Sequence, residues 1–253
     1  MTQLVQFDVA TGVATITLDS PGNRNALSRR LVHELHGHLK EATKDPNVRV
    51  IVITATGPVF CAGGDLKERA GEAQTPEGDS FAEVLSTIMK ASTPVVVKMN
   101  GPARAGGLGL VAAADISIAP TDTTFAFSEV RIGVAPAMIA VPCTRRMTPR
   151  AVSRYFLTGE TFDASEAQRC GLVSVVTDDV DTACSALLDA FRLAGPQALR
   201  AAKALIDEAS DPDLDRALKA MEAESTRLFS TSEAQEGMAA FKQKRLPTWA
   251  DAS

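Results

Sequence analysis

"RAGGLGLVAAADI", Arg104–Ile116, is the stretch on which the reading of this chain turns. Gly107, Gly109 and Ala112 fit G-x-G-x-x-A, the fingerprint of a dinucleotide-binding turn. A strand-like "PVVVKM" precedes it, and Glu129 lies 20 residues beyond Gly109, where a ribose-binding acid would fall. Two facts oppose that reading. The fingerprint belongs on the first strand of its fold, whereas here about 100 residues of strand and helix come first. It also leaves a second glycine-rich stretch, "FCAGGD" at 60–65, without a purpose. A nicotinamide cofactor is therefore not expected.

Both glycine turns follow a β-branched run and lead toward a helix. "VRVIVITA" at 48–55 and "TPVVVKM" at 93–99 read as strands buried on both faces, because they are apolar almost throughout. "LVQFDVATGVATITL" at 4–18 alternates apolar and polar residues around "ATG" and reads as a β-hairpin. Leu27, Leu31, Leu35 and Leu39 recur at helical spacing, with Ser28 near the start of the helix. "FAEVLSTIMKAS" repeats that spacing, "LVAAAD" reads as a small-residue helix, and "ISIAP" as a third buried strand. The polar segment 71–79, "GEAQTPEGD", reads as a mobile loop. Strand, glycine turn and helix thus recur at about a 50-residue interval, the pattern of an α/β fold with parallel strands and its sites at their carboxyl ends. From about Ala194 three helical segments follow without a strand signal, so the expected division is a core over 1–193 and a C-terminal helical region over 194–253.

Composition bounds the function. Of the 253 residues, 45% are hydrophobic and 23% charged, the balance of an ordinary globular protein. A net charge of −5 gives no electrostatic reason to expect nucleic acid, and a single Trp and a single Tyr make no stacking platform. No apolar run approaches the roughly 18 residues of a membrane helix. The N-terminus reads as strand rather than targeting signal, and Cys61, Cys143, Cys170 and Cys184 lack C-x-x-C spacing, so reduced thiols in a cytoplasmic protein are expected.

A glycine turn entering a helix leaves backbone N–H groups without partners at the positive end of the helix dipole. Phosphate can use such a site, and so can the oxyanion that develops on a carbonyl during catalysis. Two such turns on neighbouring strands could each offer one N–H, from Gly64 and from Gly106, to the same oxygen.

"PGNRNALS", "FCAGGDLKE", "NGPARAGGLGL", "FSEVRIGVAP", "YFLTGETFDASEAQRCGLV" and "AFKQKRLPTW" occur in that order over nearly the whole chain. Together they resemble the crotonase superfamily, the enoyl-CoA hydratase/isomerase family. The resemblance implies a ClpP/crotonase-like spiral of repeated ββα units with a helical C-terminal region that serves oligomerisation. It implies a homotrimer or dimer of trimers, and an acyl-CoA thioester as substrate, so that coenzyme A enters with the substrate and no separate cofactor is needed. Carried onto this chain, the two oxyanion donors fall on Gly64 and Gly106, and a catalytic acid on Glu129 of "FSE". The coenzyme would be met by Arg24 and Ala26, by the turn Ala62, Gly63 and Asp65, and by Leu66 along the pantetheine. Phe241 and Lys244 would reach the CoA of an adjacent subunit.

Enoyl-CoA hydratases of the family usually carry a second glutamate three residues beyond the oxyanion glycine, and that position here is Gly109. Hydration is comfortable with two carboxylates, one for the water and one for the α-carbon proton. A single carboxylate can do both in turn, and a 3,2-double-bond shift needs only one. Enoyl-CoA hydratase is therefore the first expectation, 3,2-enoyl-CoA isomerase the second, and a non-catalytic CoA-binding protein the third. Gly109 could leave room for a bulkier acyl group, or Glu68, Glu72 or Asp79 could swing into the vacancy. His33, His36 and His38 share one helix, but "HELHGH" is not H-E-x-x-H and no carboxylate or cysteine cluster in the sequence completes a site, so no metal is expected. Without G-x-S-x-G a serine hydrolase is set aside. Arg104 and Arg131 flank the proposed site without an assigned role.

Overall fold

The computed structural model describes residues 3–71, 79–208 and 213–250. The chain opens with the hairpin β1 (Val5–Ala10) and β2 (Val13–Leu18), then α1 (Arg29–Lys44) and β3 (Val50–Ala55). Next come α2 (Leu66–Gly71), α3 (Phe81–Lys90), β4 (Val95–Lys98), β5 (Ala103–Arg104) and α4 (Gly106–Ala113). β6 (Ile116–Pro120) and β7 (Thr124–Ala126) lead through a 3-10 turn, Ser128–Ile132, into α5 (Ala137–Arg146) and α6 (Pro149–Thr158). β8 (Phe162–Asp163), α7 (Ala164–Arg169), β9 (Val175–Thr177) and α8 (Val180–Leu193) follow. α9 (Pro196–Glu208), α10 (Leu214–Phe229) and α11 (Ser232–Gln243) complete the chain.

The main sheet has the order β1-β2-β3-β4-β6-β9 and is parallel except for the β1–β2 hairpin. Its strands are buried on both faces, which is why they read as unbroken β-branched runs. Ile51 and Ile53 of β3 face a core built with α1, α3 and α4, while Val50 and Val52 face a smaller one closed by Leu187, Leu188 and Phe191 of α8. α1 begins at Arg29, and its N-cap Ser28 accepts from the Leu31 N–H at 3.2 Å. Leu27, which shares the leucine spacing, lies outside the helix and bridges to Gly64.

A second, smaller sheet decides where the site lies. β5 pairs parallel with β7, and β7 antiparallel with β8. Isolated parallel bridges, Leu27 to Gly64 and Cys61 to Ala103, extend this layer across the ends of the main strands. Each main-sheet strand from β2 to β6 therefore runs into a short second-layer segment and then a helix, which is the ββα spiral expected from the sequence. The glycines of the dinucleotide fingerprint have packing duties instead. A Cβ on Gly107 would meet the Cys61 carbonyl oxygen at 2.8 Å, and one on Gly109 would run into Ile139 Cγ2.

The helices after residue 194 are fastened to the core. Lys203 Nζ of α9 lies 2.7 Å from Asp115 Oδ2 and donates to the Thr93 carbonyl at 3.2 Å. Arg49, at the entry to β3, donates to the carbonyls of Arg192, Ala194 and Trp249. Among the described residues no helix is long and apolar enough to cross a membrane.

Candidate active site

The loop 20–28 is held by one side chain that the sequence did not single out. Asn25 is fully buried at a left-handed φ of 53°. Its Oδ1 accepts from the Ser20 N–H at 2.8 Å, and its Nδ2 donates to the carbonyls of Thr56 and Val59 at 3.0 and 2.8 Å. Asn tolerates this backbone conformation and carries both an acceptor and two donors, so few residues could replace it. Asn25→Ala strands three polar backbone groups, two of them facing the β3 exit. The expected loss is about 2–4 kcal/mol, read from denaturant midpoints at unchanged slope.

Fixed in this way, the loop supports the first glycine turn. The Ala62 N–H donates to the Arg24 carbonyl at 3.0 Å, and the Leu27 N–H to the Gly63 carbonyl at 2.7 Å. The Asp65 N–H donates back to Leu27 at 3.4 Å. In a parallel bridge the residues flanking the bridged one make the bonds, so the Gly64 N–H takes no part in the pairing with Leu27. The second turn closes from there. Pairing with the 60–61 segment ends when the Arg104 N–H donates to Cys61 at 2.9 Å. Ala105 then takes φ 47° and ψ −120°, a strained conformation for a residue with a Cβ, and throws the chain into α4. α4 has no side-chain cap, and among the described residues no backbone acceptor meets the Gly106 N–H at the helix start. The turns touch: a Cβ on Gly63 would lie 2.7 Å from that of Ala105 and 3.5 Å from the Gly106 nitrogen. Among the described residues neither the Gly64 nor the Gly106 N–H meets a backbone acceptor, and the two turns lie side by side.

Glu129 is the second residue of the 3-10 turn that follows β7. Among the described residues its Oε2 has no hydrogen-bond partner, and burial pushes its carboxyl above the ordinary value, opposed by a bond to its own backbone. A desolvated, unpaired carboxylate is costly to keep and is characteristic of a functional acid. Its charge is felt by Cys143 of α5, whose thiol is pushed up first by burial and then by Glu129. Ile139, one turn earlier on α5, is the residue packed against Gly109. Glu129 and Gly109 therefore meet the same face of α5.

The other sequence candidates resolve as follows. The space at Gly109 is not free for an acyl group, because Ile139 fills it and Leu85 lies behind at 3.5 Å from the Cβ position. Glu68 does not swing in, since its Oε2 accepts from the Arg29 N–H at 2.9 Å. Asp79 faces His33 and His36 instead, so a carboxylate does join those histidines, contrary to the sequence expectation. Glu72 lies outside the described residues. Asp65 caps α2, accepting from the Lys67 N–H at 2.9 Å. Ala26 is buried, Arg24 is exposed on the loop rim, and Leu66 is 56% exposed beside the first turn. Phe241 is 88% exposed on α11, and Lys244 forms the left-handed C-cap of that helix. The Arg104 guanidinium is a brace, donating to the Ala103 and Thr124 carbonyls at 2.8 and 2.6 Å. Arg131 is exposed, with its Nε near the Thr158 carbonyl at 3.4 Å.

A parallel ββα spiral, two glycine turns set side by side and the buried carboxyl of Glu129 together frame the candidate site. Comparison with known proteins gives the family. A profile described as enoyl-CoA hydratase/isomerase matches residues 8–252. A Mycobacterium leprae protein named "Probable enoyl-CoA hydratase echA8" is 34% identical, covering 93% of each chain. Pseudomonas aeruginosa AtuE superposes with a TM-score of 0.91 at 32% identity, covering 98% of this chain and 99% of that one. An enoyl-CoA hydratase from Mycobacterium avium is 42% identical with a TM-score of 0.72, covering 98% of this chain and all of that one. The chain belongs to the enoyl-CoA hydratase/isomerase family.

Proposed function

We propose that the protein is an enoyl-CoA hydratase that holds the thioester oxygen between the Gly64 and Gly106 N–H groups and uses Glu129 as its one acid-base group. In this reading Glu129 takes a proton from water as the oxygen adds to C3. The electron pair moves onto the thioester oxygen as an enolate. Glu129 then returns the proton to C2, giving the 3-hydroxyacyl thioester. The two amides meet negative charge that is absent in the neutral substrate, so they favour the transition state over the ground state. The observation that carries the reading is the buried Glu129 oxygen without a partner, on the α5 face that also meets Gly109.

Coenzyme A, as part of the substrate, would be held by Arg24, Ala26, Ala62, Gly63, Asp65 and Leu66, with no separate cofactor. We read residues 1–193 as the acyl-CoA-binding core and 194–253 as the oligomerisation region of a homotrimer or dimer of trimers. The exposed apolar residues Leu214, Leu218, Phe229 and Phe241 support this, and in this reading Phe241 and Lys244 would reach a neighbour's CoA. The four free, buried cysteines support a cytoplasmic setting.

One observation favours 3,2-enoyl-CoA isomerisation as the second reading: Ile139 occupies the place of the second acid, and a double-bond shift needs only Glu129. Crotonyl-CoA and a 3-enoyl-CoA, assayed side by side, separate the two, and CoA binding with neither turnover would leave a binding protein. Restoring the acid tests the packing. Gly109→Glu alone should cost stability, because its Cβ falls inside contact with Ile139; overpacking typically costs about 1–3 kcal/mol. Gly109→Glu with Ile139→Ala should recover stability and raise hydration relative to isomerisation. Equal instability in both variants would show that Ile139 is not the obstacle.

A further inference from the structure

Residues 65–68, Asp-Leu-Lys-Glu, have the form of a capping box, in which the first acid caps the helix and the acid three residues on bonds back to its N–H. The first half is present: Asp65 Oδ1 accepts from the Lys67 N–H at 2.9 Å. The second half is replaced. The Asp65 N–H donates to the Leu27 carbonyl at 3.4 Å, and Glu68 Oε2 accepts instead from the Arg29 N–H at 2.9 Å. Arg29 opens α1, where Ser28 already serves the Leu31 N–H. The first turn of α1 is therefore capped from two distant parts of the chain, and its dipole favours the carboxylate.

The Glu68–Arg29 bond closes a ring around the first glycine turn. Gly64 is bridged to Leu27, two residues before Arg29, and Glu68 lies four residues beyond Gly64. Before Gly64 the turn is held by short bonds, from Ala62 to Arg24 and from Leu27 to Gly63. After Gly64, among the described residues, the ties to the 27–29 segment are the 3.4 Å bond of Asp65 and the 2.9 Å bond of Glu68. The first is beyond ordinary hydrogen-bond length, so Glu68 carries the hold on that side. Leu27 extends the ring to the second turn, because a Cβ on Gly106 would lie 2.7 Å from Leu27 Cδ1. A shift in the pairing of Leu27 with Gly64 therefore moves one glycine turn against the other.

We propose that Glu68 is a positioning residue for the reaction: by capping α1 from α2 it fixes the Gly64 turn on Leu27, and through Leu27 against the Gly106 turn, a role that rests on the reading of Gly64 and Gly106 as the oxyanion donors. In this role Glu68 touches neither substrate nor reacting atoms. Its loss leaves both amides in the chain and relaxes only their spacing. Misplacing a reacting geometry by about 1 Å, even from a distance, costs up to about 10²-fold in rate.

The test compares full-length wild type, Glu68→Ala, Glu68→Gln and Asp179→Ala by turnover of crotonyl-CoA and a 3-enoyl-CoA, and by amide hydrogen exchange of residues 62–68 and of the first turn of α1. Glu68→Ala should lower kcat about 10–100-fold with little change in KM, because the loss falls on the transition state. Glu68→Gln keeps an acceptor oxygen for the Arg29 N–H and should restore most of kcat. Asp179→Ala removes an ordinary cap, the acceptor of the Thr182 N–H in α8, a helix packed on β6 and β9, and should leave kcat unchanged. Exchange should quicken in both segments in Glu68→Ala and return toward wild type in Glu68→Gln. Normal kcat in Glu68→Ala, or a loss in Glu68→Gln as large as in Glu68→Ala, overturns the positioning role. Unchanged exchange in Glu68→Ala overturns the tether itself. A wild type that turns over neither thioester marks failure of the oxyanion reading, and the exchange comparison then decides the tether alone.

Discussion

Glu129→Gln is expected to lower turnover of the enoyl thioester by about 10³-fold, within the range of an essential general acid-base group, while CoA binding persists. Gln keeps the shape and removes only the proton traffic. The same change should act on stability in the opposite direction. Burial raises the Glu129 carboxyl above its unfolded value, so its contribution to stability is full below that value and is lost as pH rises through the folded one. At neutral pH the wild type therefore carries a desolvated carboxylate that the Gln variant lacks. The variant should melt higher than wild type near pH 7, and the gap should close near pH 4. Activity of the wild type should fall on the acidic side as Glu129 takes up its proton. A variant that keeps most of its turnover, or a gap that widens toward acid, would remove Glu129 from the chemistry.

Gly63→Ala should cost both activity and stability, by a route that touches no side chain of the site. Gly63 sits at φ 90°, where a Cβ brings strain of about 1–3 kcal/mol, and that Cβ would also lie 2.7 Å from Ala105 Cβ and 3.1 Å from the Arg104 carbonyl oxygen. The structure must give by parting the two turns, and with them the amides of Gly64 and Gly106. Displacing one oxyanion donor costs about 10²–10³ in turnover, and the loss should fall on kcat more than on KM. Gly37 of α1 is the control. It is exposed, nothing lies within 4 Å of its Cβ position, and Gly37→Ala should leave kcat unchanged while firming the helix. Normal kcat in folded Gly63→Ala protein would show that the two turns do not act on one oxygen.

What the sequence disclosed and what it hid divide along a physical line. Ser28, the β-branched strands and both glycine turns are local signals: a cap, a burial pattern, a missing Cβ. Glu129 is marked in the sequence only by its motif. The side chains that set the geometry act across long separations, and nothing beside them in the chain announces it. Asn25 reaches Thr56 and Val59, Ile139 fills a space 30 residues earlier at Gly109, and Asp79 meets His33 and His36 from the segment that leads into α3. Ala105 misleads in the opposite sense, because its sequence neighbours suggest an ordinary helix start while its backbone is bent into a conformation suited to glycine. The extent of α4 was also masked, since it begins at Gly106 with residues that disfavour helices and is sustained by burial on all sides.

Arg49 has a bearing on how the molecule is made. Its guanidinium waits at the mouth of β3 for the carbonyls of Arg192, Ala194 and Trp249, groups that leave the ribosome some 140 to 200 residues later. Until they arrive, a cation meant for the interior has only water. Docking the tail on the sheet is therefore a closure of very long range, the kind of contact that slows folding. Extensions fused behind Trp249 bear directly on that latch.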